Sequence, residues 1–152
     1  MFRVMLTSTS AIYNRDILNS LKTRKEQIKV LLIGNNPIEM TNVYDKLRSY
    51  RSKNYIADVC FSVQDSVKKM LKAKPDCVLI DDNVVVSQLK EFFNNLKKNG
   101  KLKNIPIVLL KSTNFSSAIQ NDAQDYLLKG NLDSEILNNT IEKNLRIRQL
   151  QR

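Results

Sequence analysis

The chain has 152 residues, a formal net charge of +10 and no histidine. The lack of histidine excludes Ser-His catalysis and histidine-based metal ligation within this chain, and two cysteines alone argue against a structural zinc site. No apolar stretch approaches the ~20 residues needed to span a bilayer, and the glycines form no phosphate-cradling loop.

The cysteines and the first residues indicate the compartment. Cys60 and Cys77 lie inside apolar runs, as expected of reduced, buried thiols in a cytosolic protein. Residues Met1–Val4 lack the longer apolar region and cleavage site of a secretory signal. The sequence therefore predicts a cytoplasmic protein with no membrane contact.

Residues 1–28 are predicted to form an N-terminal extension. They contain one apolar run, Val4–Leu6, and one helical stripe from Ile12 to Leu21, in the same order as the unit that follows them. This similarity between the two segments predicts an extra strand and helix. Chance similarity and a disordered leader are the competing explanations, because any two βα units share such a pattern.

From residue 29 onward, short apolar runs alternate with segments of helical periodicity. The predicted strands are Val30–Ile33, Tyr55–Val59, Cys77–Ile80, Ile105–Leu110 and Tyr126–Leu128. Four of the five predicted helices have an apolar stripe: Met40, Val43, Tyr44 and Leu47 in the first; Val63, Val67, Met70 and Leu71 in the second; Leu89, Phe92, Phe93 and Leu96 in the third; and Leu132, Ile136, Leu137, Ile141 and Leu145 in the fifth. Ser62 is predicted to cap the second helix, and the third is predicted to end near Asn99. The fourth helix is short and is predicted from about Phe115 to Asp122.

Five βα units with short connections predict a single α/β domain over residues 29–150. Such units form a parallel sheet covered by helices on both faces. The right-handed crossover rule favours a doubly wound arrangement. The sequence therefore predicts a flavodoxin-like five-stranded sheet in the order 2-1-3-4-5.

A carboxylate and a lysine follow two of these strands. Asp81 closes the third apolar run, and Lys129 closes the fifth. The carboxyl ends of parallel strands are where open α/β sheets place their chemistry. An acid that can act as a nucleophile, beside a lysine that can hold phosphoryl oxygens, indicates a phosphoryl-aspartate site.

These motifs resemble the receiver domain of two-component response regulators. The resemblance covers about residues 29–150 and rests on the strand pattern, on Pro75-Asp76 followed by Asp81, and on Asp125–Asp133, which is similar to the branch with glycine after the lysine. It implies a signalling domain without enzymatic activity, whose partners are proteins such as a histidine kinase or an output module. Leu145–Leu150 resembles the start of the helical linker in that branch.

Matched by position, the resemblance assigns four site residues. Asp81 is the phosphoacceptor equivalent and Lys129 the phosphate-binding lysine. Asn83 lies where a backbone carbonyl reaches Mg²⁺, and Tyr126 lies at the switch aromatic position. Asp82 is predicted to be a solvated loop acid.

Three positions depart from the family pattern. The expected acid pair after the first strand is Gly34 and Asn35, and the expected hydroxyl after the fourth strand is Lys111, although Ser112 follows. Because Mg²⁺ prefers anionic oxygen ligands, the sequence predicts no metal or other cofactor. Lys111 is predicted either to pair with Asp81 opposite Lys129 or to extend into solvent.

The sequence pattern also predicts that Asn35 and Asn36 are turn residues, since Asn36 precedes Pro37 at a helix start.

The preferred interpretation is a pseudo-receiver that acts through protein–protein contact by the face of the fourth helix, fifth strand and fifth helix. One alternative is a working receiver phosphorylated on Asp81, with Asn35 and Asn36 helping to form a weak Mg²⁺ site. The second is a basic nucleic-acid-binding protein on the same scaffold. The lysines lie in separate elements and do not interleave with aromatic residues, so no specific nucleic-acid binding is expected.

Assembly is predicted from the chain ends. Ile147 and Leu150 continue the apolar pattern of the last helix beyond the length needed to cover the sheet. Exposed apolar residues of this kind mark partner sites. We therefore expect a homodimer, or docking to a neighbouring module, through the last helix or residues 1–28.

Overall fold

A computed structural model describes residues 27–112 and 122–150. The elements in chain order are β1 (Gln27–Ile33), α1 (Pro37–Ser49), β2 (Asn54–Cys60), α2 (Val63–Ala73), β3 (Cys77–Asp81), α3 (Val86–Lys98), β4 (Ile107–Lys111), β5 (Asp125–Leu128), a 3₁₀ turn (Lys129–Asn131) and α4 (Ser134–Leu150). The last helix, α4, corresponds to the predicted fifth helix. The predicted fourth helix and residues 1–26 fall almost wholly outside the described residues.

The five strands form one parallel sheet in the order β2-β1-β3-β4-β5. This order is the one predicted from the sequence. All residues of β3 and β4 are buried, as their continuous apolar runs require of strands covered on both faces. The edge strand β2 instead alternates between buried and more exposed residues.

Two apolar clusters hold the helices against the sheet. One joins α2 and α3 to one face, with Phe92 and Met70 at its centre. The other joins α1 and α4 to the opposite face, through Leu47 and Ile141 among others. Burial of a side chain as large as Phe92 contributes roughly 1.5–3 kcal/mol. Both cysteines are buried and unpaired, as predicted.

Helix starts follow the predicted capping residues. The side chain of Asn36 accepts hydrogen bonds from the backbone N–H groups of Ile38 at 3.0 Å and Glu39 at 3.2 Å, and Pro37 opens α1. Ser62 accepts from Asp65 N at 3.4 Å at the start of α2. These contacts satisfy N–H groups that the helix itself leaves unpaired.

Two positions expected on buried helical stripes are exposed. Leu71, in the last turn of α2, is 38% exposed, whereas its neighbour Met70 is fully buried. Ile136 is 37% exposed because it lies in the first turn of α4, about 100° around the helix from the buried Leu137. Within the described part of the chain, no helix is long and apolar enough to cross a membrane.

A buried polar network joins β2 to α4. The hydroxyl of Tyr55 donates to Asn138 Oδ1 at 2.6 Å, and Asn138 Nδ2 donates to the hydroxyl of Tyr50 at 3.1 Å. We expect Tyr55→Phe to lower the free energy of unfolding by about 1–3 kcal/mol, because it leaves a buried amide oxygen unpaired. Urea denaturation measures this loss. Tyr44→Phe, on a more exposed ring, is the control, and an equal loss in both variants would contradict the prediction.

Asp125 ties the start of β5 to α4. Its Oδ2 accepts from Lys143 Nζ at 3.0 Å and from Asn144 Nδ2 at 3.1 Å. Burial raises the pKa of Asp125, but these hydrogen bonds and the one from the backbone N–H of Tyr126 outweigh burial, so its pKa lies below the ordinary value. The carboxylate therefore stabilises the fold at neutral pH.

We expect Asp125→Asn to cost about 1 kcal/mol at pH 7, because the paired charge is lost while the lysine is solvent-exposed. A depressed folded pKa contributes stability above the unfolded value of ~3.9, and this contribution is lost as pH falls through the folded pKa. Denaturation of both proteins between neutral and acidic pH measures the difference. Asp45→Asn, at an exposed site, serves as control; a cost independent of pH would refute the assignment.

Candidate functional site

Asp81 lies at the carboxyl edge of the sheet, at the end of the central strand β3. Its side chain has 0% exposed surface. Oδ1 accepts hydrogen bonds from Lys129 Nζ at 2.8 Å and from the backbone N–H of Asn83 at 2.9 Å. Among the described residues, Oδ2 has no hydrogen-bond partner. The structure thus brings together the acid and the lysine that the sequence paired.

Lys129 contacts a second acid that the sequence analysis did not identify. Its ammonium lies 2.8 Å from Glu39 Oε2, in the first turn of α1. Burial lowers the pKa of Lys129, but hydrogen bonds to Asp81 and Glu39 and their negative charges outweigh burial, so its pKa lies above the ordinary value. Lys129 is therefore a firmly protonated bridge between β3 and α1.

A cleft of about 370 Å³ opens beside this bridge. It is lined by α1, by Ser112 after β4 and by the turn after β5, and both Glu39 and Lys129 line it. Asp81 does not. A molecule in the cleft would meet the ammonium of Lys129 before it reached the carboxylate.

Gly34 and Met40 together shape the space beside Asp81. A Cβ atom added at Gly34 would lie 2.7 Å from Met40 Sδ and 3.1 Å from Asp81 Cβ. Real Cβ atoms essentially never approach another atom that closely. The methionine side chain therefore fills the space that a larger residue at position 34 would need.

Asn35 and Asn83 face each other across the edge of the site. The side-chain Nδ2 of Asn35 donates to the backbone carbonyl of Asn83 at 3.4 Å, a weak contact at the limit of a hydrogen bond. The carbonyl assigned by the resemblance to Mg²⁺ is thus approached by an amide donor. Both residues are exposed.

Lys111 lies inside the protein, so the alternative in which it extends into solvent is wrong. Its side chain is 1% exposed, and its ammonium lies 4.9 Å from the centroid of the Tyr126 ring. A cation over an aromatic face is attracted by about 0.5–2 kcal/mol, more when water is excluded. Tyr126 itself is 39% exposed, so the buried ammonium of Lys111 contacts the inner face of a ring that lies at the surface.

Asp82 is half-buried beside the site, not a solvated loop acid as expected. Burial raises its pKa above the ordinary value and Asp81 adds to this, against lowering by Lys129, by Lys111 and by the backbone N–H of Ser112. The site therefore combines several acids with two lysines. Across the described residues, however, no three acidic, cysteine or histidine side chains are arranged to hold a metal ion.

Comparison with solved structures identifies the architecture. A signal receiver domain of a modulated diguanylate cyclase from Desulfovibrio desulfuricans G20 has a TM-score of 0.68 at 19% identity, over 83% of this chain and 99% of that one. A response regulator receiver-modulated diguanylate cyclase from Pelobacter carbinolicus has a TM-score of 0.61 at 26% identity, over 82% and 97%. This chain has the response-regulator receiver fold.

A third solved structure has the same fold. The receiver domain of a sensor histidine kinase from Pseudomonas aeruginosa PAO1, which has a magnesium ion coordinated in its active-site cleft, has a TM-score of 0.66 at 18% identity, over 78% of this chain and 98% of that one. No protein-family model matches this chain, and no curated protein matches it either. The comparison with solved structures therefore carries the assignment of the fold.

Two positions at this edge carry no acid. They are Gly34, which has no side chain, and Asn35, whose amide nitrogen points at the Asn83 carbonyl. Hard divalent cations favour several anionic oxygens. Among the described residues, Asp81 has one carboxylate oxygen without a hydrogen-bond partner, and its side chain has no exposed surface.

Proposed function

We propose that this chain is a pseudo-receiver: a signalling domain that acts by protein–protein contact without Mg²⁺-dependent phosphorylation of Asp81. The observation that carries the proposal is the state of Asp81, which has no exposed surface and already bonds the ammonium of Lys129. A phosphoacceptor must reach both its donor and a metal. Here the lysine neutralises the carboxylate directly.

Met40 supports the same proposal from the other side. Its thioether lies where a side chain at position 34 would begin, so the space beside Asp81 is apolar where the family pattern has an acid. Hard divalent cations favour several anionic oxygens, and neither the glycine nor the thioether supplies one. We infer that the domain needs no cofactor.

The conformation of the signalling face is held by Lys111. In the family pattern a hydroxyl at this position responds to the phosphoryl group together with the switch aromatic. In this chain a buried ammonium takes that position, and it lies 4.9 Å from the centroid of the Tyr126 ring. We infer that β5 and α4 present one constant surface to a protein partner, whether a kinase, an output module or a second copy.

The direct test is incubation with a small phosphodonor and Mg²⁺, followed by intact-mass spectrometry. We expect no mass increase at Asp81, because the carboxylate is buried and bonded to Lys129. A working receiver domain tested in parallel shows that the donor is active, and Asp81→Asn shows whether any labelling is at that residue. Labelling of the unmodified chain that Asp81→Asn abolishes would overturn the proposal.

One observation favours the alternative, a working receiver phosphorylated on Asp81. Its Oδ2 has no hydrogen-bond partner among the described residues, and an unpaired buried carboxylate oxygen is costly enough to suggest a use. This reading requires Lys129 or Glu39 to move so that a donor can enter. The same labelling experiment decides between the two, and Glu39→Gln would then increase the labelling rate by loosening the lysine.

A further inference from the structure

A cavity lies at the amino edge of the sheet, opposite the Asp81 site. Its volume is about 330 Å³, within the range of small-molecule sites. Four chain segments meet around it: the end of α2, the start of β3, the loop between α3 and β4, and the last turns of α4. Residues that lie far apart in sequence therefore face one another here.

The floor of this cavity is apolar and belongs to the core. Leu102 and Ile105 are 2% and 5% exposed and are members of the cluster beneath α2 and α3. Leu71, the residue expected on the buried stripe of α2, forms part of the wall and remains 38% exposed. An exposed leucine beside a rigid apolar floor provides surface for an apolar ligand body.

The rim of the cavity is basic. Lys74, Lys101 and Arg148 line it from three different segments. Lys74 adopts a left-handed backbone conformation with φ of 51°, the only non-glycine residue with positive φ among those described. Arg148 donates from Nη1 to the Asp76 carbonyl at 3.2 Å, while its buried Nε has no partner within the described residues.

The single acid at the rim does not cancel these charges. Asp76 accepts a hydrogen bond from the backbone N–H of Lys29 at 2.9 Å, which turns one carboxylate oxygen toward β1. The C-terminal ends of α2, α3 and α4 lie at this edge of the sheet, and each adds about half a negative charge. Three cations against one carboxylate and three helix ends leave a surplus of about half a positive charge.

We propose that this cavity binds a small amphipathic anion, with an apolar body on the leucine and isoleucine floor and a phosphate or carboxylate group between Lys74, Lys101 and Arg148. An arginine guanidinium matches the geometry of such oxyanions, and the lysines add charge. The basic residues could also be explained without a ligand, because cations stabilise the negative ends of helix dipoles. This helix-dipole explanation accounts for the basic rim but not for an exposed leucine over an apolar cavity.

The test is a titration of the full chain followed by backbone amide NMR at constant ionic strength. Phenyl phosphate and benzoate carry an apolar ring with each kind of oxyanion, inorganic phosphate lacks the ring, and benzyl alcohol lacks the charge. We expect saturable shifts at Lys74, Leu102 and Arg148 with a Kd of about 1 mM or tighter for phenyl phosphate or benzoate. Inorganic phosphate and benzyl alcohol should bind about tenfold more weakly or worse.

Matched variants separate the cavity from general attraction to a basic protein. Lys74→Gln/Lys101→Gln removes two rim charges and should weaken binding of the preferred probe about tenfold or more. Lys72→Gln/Lys103→Gln removes the same charge from exposed positions nearby that do not line the cavity, and should change little. Equal weakening in the two variants, equal affinity for inorganic phosphate, or no saturable shift at these amides would each overturn the proposal.

Discussion

Replacement of Lys129 by methionine is expected to lower the free energy of unfolding by about 3–5 kcal/mol at pH 7, because it leaves the carboxylate of Asp81 buried without its counter-charge. The side chain of Asp81 has no exposed surface, and the ammonium of Lys129 is 2.8 Å from it. Methionine keeps most of the apolar stem of the lysine, so the decrease in the free energy of unfolding measures the effect of removing the charge. Urea denaturation followed by circular dichroism measures it.

Two controls make this prediction specific. Lys46→Met alters a lysine that lines the same cleft and should change stability by no more than about 0.5 kcal/mol. In an Asp81→Asn background, Lys129→Met should cost clearly less than it does alone, since the buried charge is already gone. If Lys129→Met costs no more than Lys46→Met, the lysine does not hold the buried acid.

Glu39 and Asp81 should differ as partners of Lys129. Glu39 is 35% exposed and Asp81 is not exposed at all, although both carboxylates lie 2.8 Å from the ammonium. A partly solvated pair contributes only about 0.2–1 kcal/mol. The Asp81–Lys129 pair should therefore contribute more to stability than the Glu39–Lys129 pair, and Glu39 chiefly covers Lys129 on the side of the cleft.

The pH dependence follows from the raised pKa of Lys129. Burial lowers that pKa, but the bonds and charges of Asp81 and Glu39 raise it by more. Stability from a raised lysine pKa is fully present below the unfolded value of ~10.4 and is lost as pH rises through the folded pKa. The difference between the wild type and Lys129→Met should therefore persist at neutral pH and shrink as the pH rises into strong alkali.

The sheet could be predicted because its signals are local. Each strand is a short apolar run closed by a turn residue, and the handedness rule then leaves few topologies. The contact between Asp81 and Lys129 followed from the same argument, since the carboxyl ends of parallel strands share one edge. The order of the strands and this pairing therefore both follow from the sequence pattern.

The rest of the site could not be predicted because it depends on side-chain direction. Glu39 looks like an ordinary first-turn acid that complements a helix dipole, and Met40 looks like one more residue of an apolar stripe. Nothing local to Lys111 says that a lysine at a strand end turns inward beneath Tyr126. Such contacts are set by packing between elements that are distant in sequence.

The lysines illustrate the same limit on a larger scale. In sequence they lie in separate elements, and the sequence analysis therefore predicted no common binding surface for nucleic acid. In a parallel sheet, however, the loops that lead from helices into strands all lie at the amino edge. Lys74, Lys101 and Arg148 consequently line one cavity although they come from three segments.

Gly34→Asp is expected to destabilise the domain by about 1–3 kcal/mol without Mg²⁺. The new Cβ would lie 2.7 Å from Met40 Sδ, but that atom is the far end of a flexible side chain and can shift at low cost. A second carboxylate beside the buried Asp81 adds repulsion and desolvation. Gly34→Ala adds the Cβ without the charge, so the difference between the two variants measures the electrostatic part.

Mg²⁺ should stabilise a variant with a restored acid pair but not the unmodified chain. In Gly34→Asp/Asn35→Asp the acid pair of the family pattern returns, and Mg²⁺ should recover stability, by about 2.7 kcal/mol at a concentration 100 times the Kd. The unmodified chain and Gly34→Ala should show no such recovery, because the ammonium of Lys129 already neutralises Asp81 and no acid pair is present. Thermal unfolding with and without Mg²⁺ gives the comparison. If Mg²⁺ stabilises the unmodified chain as much as the restored one, the lysine does not stand in for the metal, and Asp81 belongs to a working phosphoacceptor site.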